Sequence, residues 1–227
     1  KWLKTLPTEV FDEYPSLWIT SASLLLGSGQ TDGVEQALQS AENALGNAKQ
    51  NDKNRDLIGR VAAIRSTLAA TLKQIDAIIT ESERALEYLH PENLAFRTST
   101  IWKLGYAYQL RGERSKALDA YNEVISTGEK SGNFVFIFLA TIGIATIQEA
   151  NNQLFSAAET YRHLIELRGN KQFADAFYIY LGLSRIHYQW NELNDALQYA
   201  EKSIQLAKQV KNSDRFIPPA LVLARLK

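Results

Sequence analysis

The sequence predicts an all-α chain, an α-solenoid of about five antiparallel helix pairs with a period of about 40 residues. Three observations carry this. Small or apolar residues recur at Ala37, Ile78, Ala117, Ala157 and Ala196, spaced 41, 39, 40 and 39 residues apart. Each is followed four residues on by Ala41, Ser82, Tyr121, Tyr161 or Ala200, and seven on by Ala44, Ala85, Val124, Leu164 or Ser203. Those steps make one helix face. Five residues before each anchor stands Asp32, Lys73, Gly112, Asn152 or Asn191. All but Lys73 are types that tolerate the left-handed backbone ending a helix.

The elements follow in order. The stretch KWLKTLPTEVFDEYP caps the stack or links it to something upstream. First helices are predicted over about 17–28, 57–71, 95–110, 134–150 and 174–189, each followed by a turn and a second helix on an anchor. Breaks fall at 47–56, LHPEN (89–93), EKSGN (129–133) and RGNKQ (168–172), where Pro, Gly and Asn stop helices. The tail DRFIPPALVLARLK opens like a further first helix, with Pro218 and Pro219 at its start. β-Branched residues lie inside helical patterns, so no strand is expected. A single pair cannot bury its apolar face alone, and stacking follows. The domain reading is an opening segment and first pair over 1–56, four pairs over 57–210, and the start of another helix over 211–227.

The 227 residues carry no net charge, which argues against a nucleic-acid surface. The last 27 residues hold six Lys/Arg against two acids, a bias that reads as a solvated helix face. Without cysteine there is no disulfide, thiolate metal site or thiol catalysis. No apolar run reaches the roughly 20 residues of a membrane span, and no signal peptide opens the chain. A cytoplasmic location is expected, with no membrane partner. The chain starts at Lys1 and has no methionine, and it reads as a piece of a longer protein. His90, His163 and His187 share no close spacing, so ordinary histidines are expected rather than a metal site. Asp119 and Glu123, like charges one turn apart, read as solvent-facing. No nucleophile–base arrangement stands out. No catalytic residue, metal or enzymatic activity is expected.

Leu104-Gly105, Tyr108, Gly112, Ala117 and Tyr121 match the tetratricopeptide pattern, whose terminal proline is met only by Pro91. The period exceeds the usual 34, and a right-handed superhelix is expected. Segments such as IRSTLAATLKQIDAIITESERALEYLHPENLAFRTSTIWKLGYAYQLRGERSKALDAY and LGLSRIHYQWNELNDALQYA resemble the helical-repeat region of MalT-type transcriptional activators, the large ATP-dependent members of the LuxR group. The resemblance covers roughly 57–210 well and the first 56 residues loosely. It implies an upstream ATPase, which would hold ATP, and a downstream helix-turn-helix. This segment carries neither a phosphate-loop motif nor a basic recognition helix, so no cofactor and no nucleic acid is expected here.

In tetratricopeptide stacks the first helices line the concave face, at 15, 11 and 8 residues before the anchor. In the third repeat these are Trp102, Tyr106 and Gln109. Other repeats place Ala63, Thr67 and Ala70; Ile142, Thr146 and Glu149; and Leu181, Arg185 and Tyr188 there, with Arg60, Ser99 and Tyr178 one turn up. The expected ligand-binding set is Trp102, Tyr106, Gln109, Glu149, Tyr178, Arg185 and Tyr188. Aromatics beside charged and amide groups suit a sugar or a peptide; the competing role for Trp102 and Tyr178 is packing between repeats. Trp190, beside the turn residue Asn191, is expected to staple two helices. Two functions compete. One is the sensor region of a MalT-like regulator, where a small-molecule or peptide effector controls self-association or contact with a regulatory protein. The other is a generic scaffold that holds a peptide or partner protein.

Overall fold

The computed structural model describes residues 6–46, 51–168, 176–209 and 217–226, and among these no residue is in a strand. The helices are α1 (Thr8–Glu13), α2 (Pro15–Gly27), α3 (Val34–Gly46), α4 (Asp52–Thr71), α5 (Ile75–Tyr88), α6 (Leu94–Arg111), α7 (Arg114–Ser131), α8 (Phe134–Ala150), α9 (Leu154–Arg168), α10 (Phe177–Gln189), α11 (Leu193–Ala207) and α12 (Ile217–Leu226). They form two compact units, 1–133 and 134–227. The expected all-α fold of successive helix pairs is what the chain adopts.

Unit 1 holds α1 and the pairs α2/α3, α4/α5 and α6/α7. Its anchors point inward: Ala37, Ile78 and Ala117 are buried, as are Ala41, Ser82 and Tyr121 one turn on. One core gathers Ile19, Ala22, Val34, Leu38, Leu57, Val61 and Ile64 from α2, α3 and α4. Burying a serine hydroxyl costs energy unless it is paired, and Ser66 and Ser82 hydrogen-bond each other at 2.8 Å inside the α4/α5 pair. Over α3, α4 and α5, Arg65 meets Glu35 (2.8 Å) and Glu42 (3.0 Å), and Arg84 meets Glu42 (2.7 Å). Glu81 lies 3.9 and 3.7 Å from the two guanidiniums, and its Oε2 is buried without a hydrogen bond.

The turns refine the expectation. Gly112, Asn152 and Asn191 take positive φ, and so does Lys73, at 59°. The pair geometry imposes the left-handed turn on a residue that does not favour it. In the first pair the positive φ values fall on Gly29 (79°) and Gly33 (80°), not on Asp32. Two helices also run further than composition suggested. Asn51 accepts from the Asn54 backbone at 2.8 Å and caps α4, so the helix starts at Asp52 inside the supposed break. Helix α7 continues to Ser131 and ends at Gly132, whose φ is 66°.

Unit 2 holds α8/α9, α10/α11 and α12. Ala157, Tyr161, Leu164, Leu183 and Ile186 form its core with Phe138 and Ala145. Gly182 is required there: a Cβ would stand 2.3 Å from the Tyr161 ring. Trp190 packs on Phe155 at 4.9 Å and on the ring of His187 at 5.3 Å, tying α9 to the end of α10. Helix α12 begins with Pro218 and Pro219 in its first turn and packs on α10 and α11. The expected boundary at 210–211, the break at 169–172, the helix start at 174, and Lys211, Asp214, Arg215 and Lys227 of the basic end lie outside the described residues. No described helix is long and apolar enough to cross a membrane.

Candidate functional site

The seven expected ligand residues divide between the units, Trp102, Tyr106 and Gln109 in unit 1 and Glu149, Tyr178, Arg185 and Tyr188 in unit 2. On α6 the four-residue step stacks the rings of Trp102 and Tyr106, with centroids 5.7 Å apart and planes 7° from parallel. Tyr106 is 37% exposed and Trp102 half-buried. Gln109 is committed elsewhere: its Oε1 accepts from the Tyr121 hydroxyl at 2.7 Å. Burial pushes the Tyr121 phenol well up, so it stays a donor.

Arg60, one turn up on α4, donates to Asp56 at 2.8 Å and lies over the Phe96 ring. Asp56 also accepts from the His90 backbone and from Asn93. Burial raises its carboxyl, but these hydrogen bonds and Arg60 outweigh it and hold the group below its ordinary 3.8. Ser99 donates to the Phe96 carbonyl. This corner of the face is therefore a locked, neutral pair.

Lys103 was missed from sequence. It sits between Trp102 and Tyr106 in the chain, yet only 6% of it is exposed. Its Nζ donates to the Ala63 carbonyl at 3.2 Å and to Thr67 Oγ1 at 3.1 Å, both on α4. Thr67 itself donates to the same carbonyl at 3.0 Å. Among the described residues Lys103 forms no ion pair with a carboxylate, and burial pulls its ammonium down to about 8. A signal existed: in register, Lys103 stands where Ile64, Gly143 and Gly182 stand in other repeats. Gly182 makes room for the preceding Tyr161. The second repeat has Ser82 at the position of Tyr161.

In unit 2, Arg185 on α10 reaches Glu149 on α8 with two donors, Nε to Oε1 at 2.6 Å and Nη2 to Oε2 at 2.8 Å. Such a fork is geometrically specific, and both charges are used within the protein. Tyr161 lies behind it, its hydroxyl 3.3 Å from Thr146 Oγ1; burial above all pushes its phenol up to about 12. Tyr178 rests on Phe177, ring centroids 4.0 Å apart, and is 38% exposed. Tyr188 is 47% exposed.

His90 accepts from the Glu92 backbone, and His163 is exposed. His187 is buried, with Nδ1 2.6 Å from Glu192 and 3.9 Å from Asp195. These three could offer ligand atoms within 4.8 Å of one another. Two donors on one small cation stand about 3 Å apart or more. The 2.6 Å His187–Glu192 spacing is therefore that of a direct side-chain contact across the α10–α11 turn, and Arg162 lies 3.5 Å from the other ring nitrogen.

The family model described as the MalT-like TPR region matches residues 59–227. The chain belongs to this family. Its longer period and its Leu104-Gly105, Tyr108 and Gly112 pattern are thus those of a MalT-like tetratricopeptide region. No curated protein sequence matches significantly. Among solved structures, NprR in complex with its cognate peptide NprX is similar at a TM-score of 0.71 and 17% identity, over 98% of this chain and 63% of that one. The apo form of the quorum sensor NprR from B. thuringiensis gives 0.73 and 17%, over 98% and 60%. Apo RapI gives 0.71 and 13%, over 86% and 70%. At these identities the likeness speaks for the fold. This MalT-like TPR chain spans less than two thirds of the NprR chains it matches.

Proposed function

We propose that the chain is the ligand-sensing and protein-interaction region of a MalT-like, LuxR-group, ATP-dependent transcription regulator. The match to the MalT-like TPR region over 59–227 carries this reading. An effector that binds one conformational state better than another shifts the protein toward self-association, and no more than that difference is needed. The ligand surface is the first-helix face, each unit taken by itself: Trp102, Tyr106 and Gln109 in unit 1, and Glu149, Tyr178, Arg185 and Tyr188 in unit 2. The region performs no chemistry and binds no DNA. ATP belongs to an upstream domain, a helix-turn-helix follows downstream, and the protein works in the cytoplasm.

A generic scaffold for a peptide or partner protein is the second reading. The similarity to NprR, whose structure holds its cognate peptide, favours it. The reading frame around this chain separates the two, since only the first requires a phosphate loop upstream and a helix-turn-helix downstream. For the face itself, Trp102→Ala is the test. As a contact residue its loss leaves the melting temperature nearly unchanged and cuts effector response in the full-length protein. A cost near 3–5 kcal/mol, the value for a core aromatic, with normal response in the folded fraction, would remove Trp102 from the site.

A further inference from the structure

We propose that the α4–α6 face of unit 1 selects a ligand carrying a carboxylate beside a flat apolar group, with Lys103 supplying the attraction and the Trp102–Tyr106 pair the stacking surface. This rests on the reading of the first-helix face as the ligand surface, and it names the chemistry that face would take.

A lysine is almost never fully buried unless it is paired with an acid. Here the acceptors are a helix carbonyl and a threonine hydroxyl, both neutral, so the charge is held but not cancelled. Thr67 is only half-buried, which puts the ammonium one side chain beneath the α4 surface. Arg60, the cation expected on this face, is already neutralised by Asp56. Lys103 thus leaves an uncancelled positive charge beneath the face. In surroundings that polarise poorly, such a charge acts over a longer range than one in water.

The hydroxyl proton of Thr67 is spent on the Ala63 carbonyl. The attraction therefore works through the field rather than a direct hydrogen bond, and is sensitive to salt to the extent that solvent reaches the face. On α6 itself the exposed ring of Tyr106, backed by Trp102, offers an apolar surface to the part of the ligand next to the carboxylate. A peptide ending in an aromatic residue and a small aromatic acid share this chemistry.

The experiment uses N-acetyl-phenylalanine and its amide, and a hexapeptide ending in Phe as free acid and as amide. Binding to the protein and to Lys103→Met is read by saturation-transfer NMR. Lys103→Met keeps the side-chain volume and removes the charge. The acids should bind about tenfold more tightly than the amides, and Lys103→Met should abolish that preference. A further gain with the hexapeptide identifies a peptide source, and equal binding of the amino acid a small-molecule one. Equal binding of acids and amides, or a preference that survives Lys103→Met, overturns the charge assignment and leaves the ligand face standing. Failure of every probe to bind overturns this inference and leaves the first-helix face to its own test, Trp102→Ala. If Lys103→Met does not fold, the wild-type comparison at low and high salt decides alone, and no preference for the acids is the refuting result. An independent readout uses a variant with Trp2, Trp18 and Trp190 changed to Phe. There Lys103→Met should lower iodide quenching of Trp102 relative to acrylamide by about twofold; an unchanged ratio counts against the field.

Discussion

Gly182→Ala should destabilise unit 2, against the ordinary preference of helices for alanine. The new Cβ would lie 2.3, 2.4 and 2.7 Å from Cε2, Cζ and Oη of Tyr161. Carbon atoms in contact sit roughly 3.5–4.0 Å apart, so the ring would have to withdraw by more than about 1 Å. Tyr161 is 1% exposed and enclosed by the unit 2 core, and it would leave its place beside Thr146. Overpacking of this kind costs about 1–3 kcal/mol, and three clashing atoms argue for the upper end. Replacing glycine inside a helix returns about 1 kcal/mol. The net loss is about 2 kcal/mol, or roughly 10 °C in the melting of a unit this size. Thermal and urea unfolding followed by circular dichroism measures it. Gly27→Ala is the control, because nothing lies within 4 Å of its added Cβ. A Gly182→Ala protein as stable as the unaltered chain would show that Tyr161 does not press on that helix.

Lys73 holds φ at 59°, so Lys73→Gly should raise stability by about 1 kcal/mol; a loss in urea titration would contradict the strained turn. Glu149→Gln leaves the Arg185 guanidinium without its charge partner, and with 35% of that side chain exposed the cost is about 2 kcal/mol rather than the larger loss of a dry pair. An unchanged urea midpoint would mean that the fork contributes nothing. Burial raises the Glu42 carboxyl, but hydrogen bonds from Arg65 and Arg84 outweigh it and hold the group below 4.5. The unfolded chain then takes up this proton more readily, so the stability it supplies is present above 4.5 and lost as pH falls through the lower folded value. Glu42→Gln should flatten the fall in urea midpoint below about pH 4.5; an identical acid limb would refute the assignment. Glu81 runs the other way: burial raises its carboxyl more than Arg65 and Arg84 lower it. Glu81→Gln should therefore be neutral or stabilising at neutral pH, and a marked loss there would count against it.

Local signals made the repeat legible. Ala117, Tyr121 and Val124 show the helix period, and Gly112 and Asn191 announce turns by their own conformational tolerance. Where a turn is set by the pair rather than by its residue, as at Lys73, composition said nothing. Asp32 misled because Gly33 beside it takes the left-handed backbone instead. The start of α4 was hidden in a polar stretch whose asparagine turned out to be a cap. At the candidate site, spacing located the aromatic step on α6 but not what each polar group already holds. Gln109 is bound to Tyr121, Arg60 to Asp56 and Arg185 to Glu149. Asp56 and Arg60, four residues apart on α4, are the one pair that spacing could have shown. Tyr121 and Glu149 lie on other helices than the groups they hold, and no pattern along a single helix reveals them. Lys103 was hidden for the same reason, since a lysine on a helix reads as solvated until a neighbouring helix covers it.

The central claim is that this MalT-like TPR region serves a larger nucleotide-dependent regulator. Binding of a fluorescent ATP analogue to the full-length gene product, measured beside the 227-residue chain, tests it most directly. The account predicts saturable binding by the full-length protein and none by the chain alone. A full-length protein that binds no nucleotide would contradict it and leave the generic scaffold in its place.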